Sequence, residues 1–401
     1  MARKRVKLKK KAKGLLVLIL MILVGIGVYG VVNYKQSIKK PEPKKKVVKK
    51  EEPKVPKEYT AKVFMVGDAL IHSAVYEDAR KDDGSYDFKP MIADIKKISS
   101  QYDIAYYNQE TILGGKELGL SNYPMFNSPQ EVGDAFVDAG FNMVSLATNH
   151  TMDKGEAGVL ASVAYWKKQK DVAWSGQWSS EEERTESVQK IYEVNGIKYA
   201  FISYTIWNNG LPTPYGKSYL NNEYSPEKAT KDIESVRDKV DFVIVAMHWG
   251  TEYSFRTDPK QDEIAAHLSN LGVDLIIGAH PHVIQTVEYI NDKKTFVVYS
   301  LGNFISDQND VDNFTGLAME VTLKKVVDID GSVTTSVIDP KAELVYTTTV
   351  KRGGVNHQFK VVPYPKLTDA QLPGHAGYYD KYKNIVKECY PELVWGLSGE
   401  W

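Results

Sequence analysis

The chain has 401 residues, of which 43% are hydrophobic and 25% are charged, and this composition excludes a wholly disordered or collagen-like protein. Its single cysteine, Cys389, excludes a disulfide-based scaffold and a zinc site built on paired cysteines. The formal net charge is zero, but the charge is unevenly distributed: residues 1–58 carry 18 Lys+Arg against 4 Asp+Glu, and residues 59–401 carry 33 basic and 47 acidic residues. The acidic excess of residues 59–401 disfavours nucleic-acid binding by that part of the chain.

Residues 1–32 combine a basic flank with an uncharged apolar run. Residues 1–13 contain eight Lys/Arg and no acidic residue, and residues 14–32 are 19 positions without a charge. That length is enough for a helix to cross a bilayer core of about 30 Å. We predict an uncleaved transmembrane anchor at 14–32, because the run exceeds a typical signal h-region and neither a small-x-small site nor a lipobox follows it. A cleaved signal peptide and a buried core helix are the alternatives.

Residues 33–58 are rich in Lys, Glu and Pro and contain ten lysines. With almost nothing to bury, this stretch is predicted to be an extended, solvated linker. Its lysines would also suit an anionic surface, such as lipid headgroups or a polyanionic polymer, and a plain spacer explains them equally well. Because 1–13 has the denser positive charge, we expect it in the cytoplasm and the folded part outside the cell, as a single-pass protein of the cell membrane.

From residue 59 onward, short β-rich apolar runs alternate with amphipathic segments, which predicts an α/β fold with a mainly parallel or mixed sheet. Predicted strands are Ala61–Val66, Asp103–Tyr107, Asn142–Ala147, Tyr199–Tyr204, Phe242–Met247, Asp274–Ile277 and Thr295–Ser300. Predicted helices are Pro90–Ser99, Pro129–Ala139, Gly155–Gln169, Pro226–Val240 and Gln261–Leu271, with Ser128 and Ser225 as N-caps before a proline. Antiparallel strands at Gly316–Lys325, Ser332–Ile338 and Glu343–Val350 would close a domain of residues 59–350, with 351–401 as an extension packed on it.

Polar side chains of a kind that binds metals or transfers protons follow six of the predicted strands. In chain order they are Asp68 and His72, Glu110, Asn149 with His150 and Asp153, His248 with Glu252, His280 with His282, and Asn303. Because the carboxyl ends of parallel strands gather at one edge of a sheet, we expect these groups to lie close together. Carboxylate, amide oxygen and imidazole are ligands that suit Mn, Fe or Zn. A purely structural role for all of them is the alternative.

Taken in this order, the motifs resemble those of the CapA/PgsA proteins of poly-γ-glutamate capsule biosynthesis. The resemblance covers about residues 60–310 and rests on Gly67-Asp68, Glu110, Asn149-His150 with Asp153 and Gly155, His248-Trp249-Gly250 with Glu252-Tyr253, Gly278-Ala279-His280-Pro281-His282, and Ser300-Leu301-Gly302-Asn303-Phe304. That family is in turn similar to the calcineurin-like metallophosphatases, which implies a layered β-sandwich flanked by helices.

The resemblance also implies a centre for one or two divalent metal ions. Asp68, Glu110 and His282 would hold one ion, and Glu110 would bridge to a second held by Asn149, His248 and His280. His150 would face the substrate as general acid, oriented by Asp153. His72, Glu252 and Asn303 are further candidates for this site.

The sequence departs from the phosphatase pattern at three places. The usual Asp-x-His becomes Asp68 followed by His72, so His72 is not expected to reach the first ion. The bridging aspartate becomes Glu110, which changes the separation of two ions that a two-metal mechanism needs about 3.5–4 Å apart. Asn127 stands where many relatives carry an arginine. A mononuclear or a metal-free site therefore stays open.

The resemblance implies a membrane-anchored extracytoplasmic component that helps to make, export or attach poly-γ-glutamate or a related envelope polymer. Its partners would be the membrane, polymer synthase and export proteins, and an anionic polymer or envelope substrate. A metal-dependent hydrolase or transferase for phosphoester or amide bonds is one alternative, and an anchored scaffold with a vestigial site is another. Whether the protein is an enzyme is left open at this point.

Overall fold

The computed structural model describes residues 2–37, 55–308 and 310–400, and the chain divides into two compact units, Met1–Lys54 and Val55–Trp401. Residues 38–54 of the predicted linker lie outside the described residues. The first unit contains helix α1 (Ala2–Ser37). Within its stretch Lys11–Gln36, an 18-residue window has a mean hydropathy of 2.9, so the helix is long and apolar enough to cross a membrane, a property that signal sequences share. The single-pass topology stays a prediction.

The second unit alternates strands with helices. The strands are β1 (Lys57–Ala69), β2 (Ile104–Gln109), β3 (Met143–Ser145), β4 (Ala173–Ser175), β5 (Tyr192–Val194), β6 (Ile197–Thr205), β7 (Phe242–His248), β8 (Leu275–Ala279), β9 (Val287–Ile290), β10 (Thr295–Val298), β11 (Asn303–Ile305), β12 (Thr315–Val327), β13 (Val333–Arg352), β14 (Val355–Pro363) and β15 (Val394–Trp395). The helices are α2 (Ser73–Asp78), α3 (Ala93–Ser99), α4 (Glu131–Asp138), α5 (Gly155–Trp166), α6 (Glu181–Val188), α7 (Pro226–Glu234), α8 (Pro259–Asn270), α9 (Val311–Phe314) and α10 (His375–Val386).

These strands form two mixed sheets. The first has the order β14-β13-β12-β1-β2-β3-β4, with β11 paired to β1 and β15 paired to β13. The second has the order β5-β6-β7-β8-β10-β9. Within the first sheet β1 to β4 run parallel, and within the second β6, β7, β8 and β10 run parallel. Each sheet therefore gathers several strand carboxyl ends at one edge.

Alternation along the strands explains how the sheets pack. In β1, Val63 and Met65 enter the core between the two sheets, while Phe64 and Val66 face the helices on the outside. In β7, Ile244 lies in the core between the sheets and its neighbours lie against α7 and α8. Because successive side chains of a strand point to opposite faces, both sheets bury both faces. The result is a β-sandwich flanked by helices, as the resemblance predicts.

Each predicted strand and helix of residues 59–310 overlaps an observed element. Ser225 caps α7 by accepting a hydrogen bond from the backbone of Lys228 at 3.2 Å, as predicted. The N-cap prediction at Ser128 is wrong, because its hydroxyl bonds Thr111 at 2.8 Å and α4 begins three residues later.

The two strands predicted between residues 332 and 350 are one strand, β13. A register shift opposite Val321, where Asp339 has a φ of 52°, bulges the strand without ending it. Residues 351–401 contain the whole of β14 together with α10 and β15, none of which the sequence predicted.

Candidate metal centre

The first sheet supplies two buried carboxylates, and a close backbone contact positions one of them. A Cβ added to Gly67 would lie 1.8 Å from the carbonyl oxygen of Gly302, so only glycine allows β1 to approach that turn. The next residue, Asp68, donates its backbone N–H to the same oxygen at 2.9 Å. Glu110 follows the end of β2 and is 1% exposed. Both side chains therefore enter the space between the sheets from neighbouring strands.

The second sheet supplies three histidines. His248 is the last residue of β7, and His280 and His282 follow β8. The φ angles of His280 and His282 are 99° and 57°, a region that residues with a side chain rarely adopt. Strain of this kind persists where the surrounding structure holds the backbone in place, and it is typical of functional sites.

The two sets of side chains meet. Glu110 Oε1 lies 3.8 Å from His248 Nε2 and 3.7 Å from His282 Nε2. Nδ1 of His282 lies 3.6 Å from Asp68 Oδ2. Among the described residues, ligand atoms of Glu110, His280 and His282 all lie within 4.8 Å of one another. Glu110 thus lies between the imidazoles that the resemblance assigns to two different ions.

The electrostatics of this cluster fit a cation. Both carboxylate oxygens of Glu110 and Nδ1 of His280 are buried and find no hydrogen-bond partner among the described residues. Burial raises the pKa of Glu110 well above its usual value. It lowers the pKa of His280 to about 3 and the pKa of His248 well below its usual value. A buried carboxylate needs a compensating charge, and neutral imidazoles are ligands for a metal ion. The donor set therefore fits a divalent metal.

Unlike His248 and His280, His282 has a pKa that favours the positively charged imidazolium. Burial alone would lower its pKa, but the carboxylates of Glu110 and Asp68 raise it to about 9. One imidazolium faces two buried carboxyl groups, and a divalent metal ion at this position would favour the ionised form of both.

Asn149 and His150 point to different targets. Asn149 Oδ1 lies 2.9 Å from His248 Nε2, on the side of the metal ligands. His150 Nδ1 lies 2.7 Å from Asp153 Oδ2, and that oxygen also accepts the backbone N–H of Phe126 at 2.6 Å. The pairing leaves Nε2 of His150 as the nitrogen available to a bound molecule.

Of the further candidates, His72 and Glu252 lie at the rim of the site, whereas Asn303 is buried. His72 has its Nδ1 3.1 Å from the carbonyl oxygen of Leu70, and burial lowers its pKa to about 4. Asn303 Oδ1 lies 3.1 Å from His282 Nδ1, where it orients that ring. Glu252 is exposed and lines the open side. Asn127 donates its side-chain amide to the carbonyl oxygens of Gly115 and Gly119 at 2.9 and 3.0 Å.

Two amide side chains at the site were missed by sequence reasoning. Asn108 donates to Asp68 Oδ1 at 2.8 Å and accepts from Ser145 Oγ at 2.5 Å, which fixes the carboxylate. Asn209, in the loop after β6, accepts from Asn149 Nδ2 at 3.3 Å. The signal that found the other residues, a polar group after a buried strand, was present for both.

A cleft of about 860 Å³ opens over the centre. His150, His282 and Asn149 lie along its floor, and the segment Asn122–Phe126 and the loop residues Asn209 and Leu211 form part of its walls. A molecule in this cleft therefore reaches both the candidate metal ligands and His150.

Replacing Glu110 by glutamine keeps the shape and removes the charge. We expect the metal-free Glu110→Gln protein to be more stable than the metal-free parent, because an unpaired buried carboxylate is costly. We also expect it to lose the rise in melting temperature that Mn²⁺ gives the parent, since a ligand stabilises a protein only when it binds the folded state. Thermal unfolding in detergent, with a chelator and with Mn²⁺, measures both effects.

Glu343→Gln is the matched control, because Glu343 is also buried but has hydrogen-bond partners away from the centre. It should leave the Mn²⁺-dependent rise unchanged. An undiminished rise in Glu110→Gln would contradict the assignment.

Comparison with known proteins agrees with the sequence motifs. Residues 62–308 match the family model described as bacterial capsule synthesis protein PGA_cap. The capsule biosynthesis protein CapA of Bacillus anthracis is 28% identical over 256 residues, which cover 61% of this chain and 59% of that protein. The PGA biosynthesis protein CapA of Bacillus subtilis is 32% identical over 179 residues, which cover 43% of this chain and 44% of that protein. The chain thus spans less than two thirds of either relative.

Solved structures with a similar arrangement include a phosphatase from Mycoplasma pneumoniae, with a TM-score of 0.42, 17% identity, and coverage of 70% of this chain and 94% of that chain. The calcineurin-like phosphoesterase YfkN from Bacillus subtilis has a TM-score of 0.44 and 14% identity, with coverage of 72% of this chain and 91% of that chain. The resemblance predicted from the motifs is confirmed by the family match. The chain belongs to the bacterial capsule synthesis protein family.

Proposed function

We propose that the protein is a membrane-anchored extracytoplasmic component of poly-γ-glutamate or related capsule synthesis, export or attachment, and that its cleft carries a metal-dependent hydrolase or transferase site. The observation that supports the proposal is the buried carboxyl group of Glu110, which lies among three histidines and has no hydrogen-bond partner in the part of the chain that the structure describes. A scaffold without a functional site gains nothing from such an unsatisfied charge. The family match supports the link to capsule synthesis.

In this proposal, different residues bind the metal, donate the proton and orient the ligands. Asp68, Glu110, Asn149, His248, His280 and His282 would hold one or two divalent ions. A bound divalent ion supplies Lewis-acid polarisation and an activated water. Asp153 holds Nδ1 of His150, so Nε2 is the atom that would give a proton to the leaving group. Asn108 and Asn303 keep Asp68 and His282 in their orientations through the bonds described above.

The role of His150 separates catalysis from metal binding. We expect His150→Ala to keep its metal and its fold and to lose a factor of roughly 10²–10⁴ in turnover, as is usual when a general acid is removed. His280→Ala should lose metal and turnover together. Turnover is measured with the full chain on a phosphodiester probe and on a γ-glutamyl amide, and metal content by elemental analysis.

His375→Ala is the matched control, because His375 pairs with Asp369 at 3.1 Å on the surface, outside the cleft. It should retain full turnover. Normal turnover in His150→Ala, with metal retained, would refute the catalytic role of this histidine.

The proposed topology is tested separately. Protease added to intact cells should remove the folded unit, because we place residues 55–401 outside the membrane and the basic flank of α1 inside. Immunoblotting against the folded unit measures the loss, with a cytoplasmic protein as the intact control. Full protection in intact cells, with digestion only after lysis, would contradict the proposed orientation.

A further inference from the structure

The charges that line the cleft are all acidic or imidazole groups. Three carboxylates, Glu252, Asp307 and Asp310, lie along the walls, and no Lys or Arg is found among the described residues of the lining. Within the described chain, Glu252 and Asp310 form no ion pair. Lys351 influences Asp307, but it does not line the cleft. Apart from the imidazoles and any bound metal ion, the charged groups that an anion would meet in the cleft are therefore all carboxylates.

The net charge of the folded part is also negative, like the charge of the carboxylates in the cleft. Residues 59–401 carry 33 basic and 47 acidic groups. Like charge at a binding cleft slows the encounter with an anion and disfavours the wrong partner. Ionised poly-γ-glutamate has one carboxylate per residue, so we expect its binding in the cleft to be disfavoured by charge repulsion.

The uncharged part of the lining suits an amide-linked chain. Five amide side chains face the cleft: Asn122, Asn149, Asn209, Gln308 and Asn313. Amide groups offer donors and acceptors together, and peptide groups need both. A few polar groups placed on a concave wall are what fixes the orientation of a bound molecule.

An exposed ring completes the wall. Tyr253 is 54% exposed and its φ is 64°, so its backbone is held in a left-handed conformation that tyrosine rarely adopts. Its backbone N–H bonds the carbonyl of Pro281 at 2.8 Å, and its hydroxyl accepts from Gln308 Nε2 at 3.2 Å. The ring is thereby fixed beside His282, with centroids 5.9 Å apart, where a planar amide can stack on it.

We propose that the segment bound in this cleft is an amide-linked chain without ionised side-chain carboxylates, such as a peptide to which a polymer is attached or an amidated polymer, and that Glu252 and Asp310 exclude the ionised polymer. The inference rests on the proposed function, because it names the substrate class of the same site.

Two probes that differ only in charge test the proposal. The first is a five-residue γ-linked glutamate oligomer, and the second is the same oligomer with each α-carboxylate converted to the carboxamide. Calorimetry with the full chain in detergent, loaded with Mn²⁺ at low salt, should show the carboxamide binding at least about ten-fold more tightly, since close like charges are strongly disfavoured. The difference should shrink as salt is added.

Variants identify the residues that discriminate. The double variant Glu252→Gln, Asp310→Asn should reduce the preference for the carboxamide probe several-fold. Both positions are exposed, so we expect the double variant to fold normally. Asp292→Asn, an exposed carboxylate outside the cleft, should leave the preference unchanged. Tighter or equal binding of the ionised probe, absence of binding by both probes, or an unchanged preference in the double variant would each overturn the proposal.

The same samples separate this inference from the proposed function. Metal content and His150-dependent turnover are measured alongside binding. A protein that holds metal and turns over, yet prefers the ionised probe, refutes the inference alone. A protein that takes up no metal and shows no turnover, yet prefers the carboxamide, refutes the proposed function alone.

Discussion

The arrangement of the folded unit depends on one unpaired group, the buried carboxylate of Glu110. Burying a carboxylate without a hydrogen-bond donor from the protein is costly, and no Lys or Arg forms an ion pair with Glu110 among the described residues. The facing imidazoles come from the other sheet, so a cation that satisfies Glu110 would also join the two sheets. The metal centre is therefore inferred from an unsatisfied charge together with the chemistry of its neighbours.

Close backbone packing makes this convergence possible. A Cβ on Gly67 would meet Gly302, and one on Gly278 would lie 1.9 Å from the carbonyl oxygen of Tyr299. The two glycines precede Asp68 and the His280–His282 turn, so each allows the backbone to bring a ligand-bearing segment inward. The strained φ angles of His280 and His282 show that the turn is held against its local preference. Both features are explained by a site that needs donors from two sheets at once.

The sequence predicted the positions of the main side chains because their signal is local: an apolar strand followed by a polar residue. It could not predict side-chain contacts between neighbouring strands, such as the chain from Ser145 through Asn108 to Asp68, since each member alone is an ordinary polar residue. Ser128 failed as a cap because a tertiary partner, Thr111, competes for its hydroxyl. The break predicted within β13 failed because a bulge absorbs Asp339 and Pro340 within the strand. The local sequence pattern thus predicts the strands and helices, whereas long-range hydrogen bonds decide where an element begins and how a side chain is oriented.

Anomalous diffraction from crystals grown with Mn²⁺, recorded on both sides of the manganese absorption edge, tests the central claim most directly. The account predicts one or two anomalous peaks between the sheets, within about 2.0–2.3 Å of a Glu110 oxygen and of imidazole nitrogens from the second sheet. A map with no peak there, in which the Glu110 oxygens are instead satisfied by water or protein donors, would contradict it.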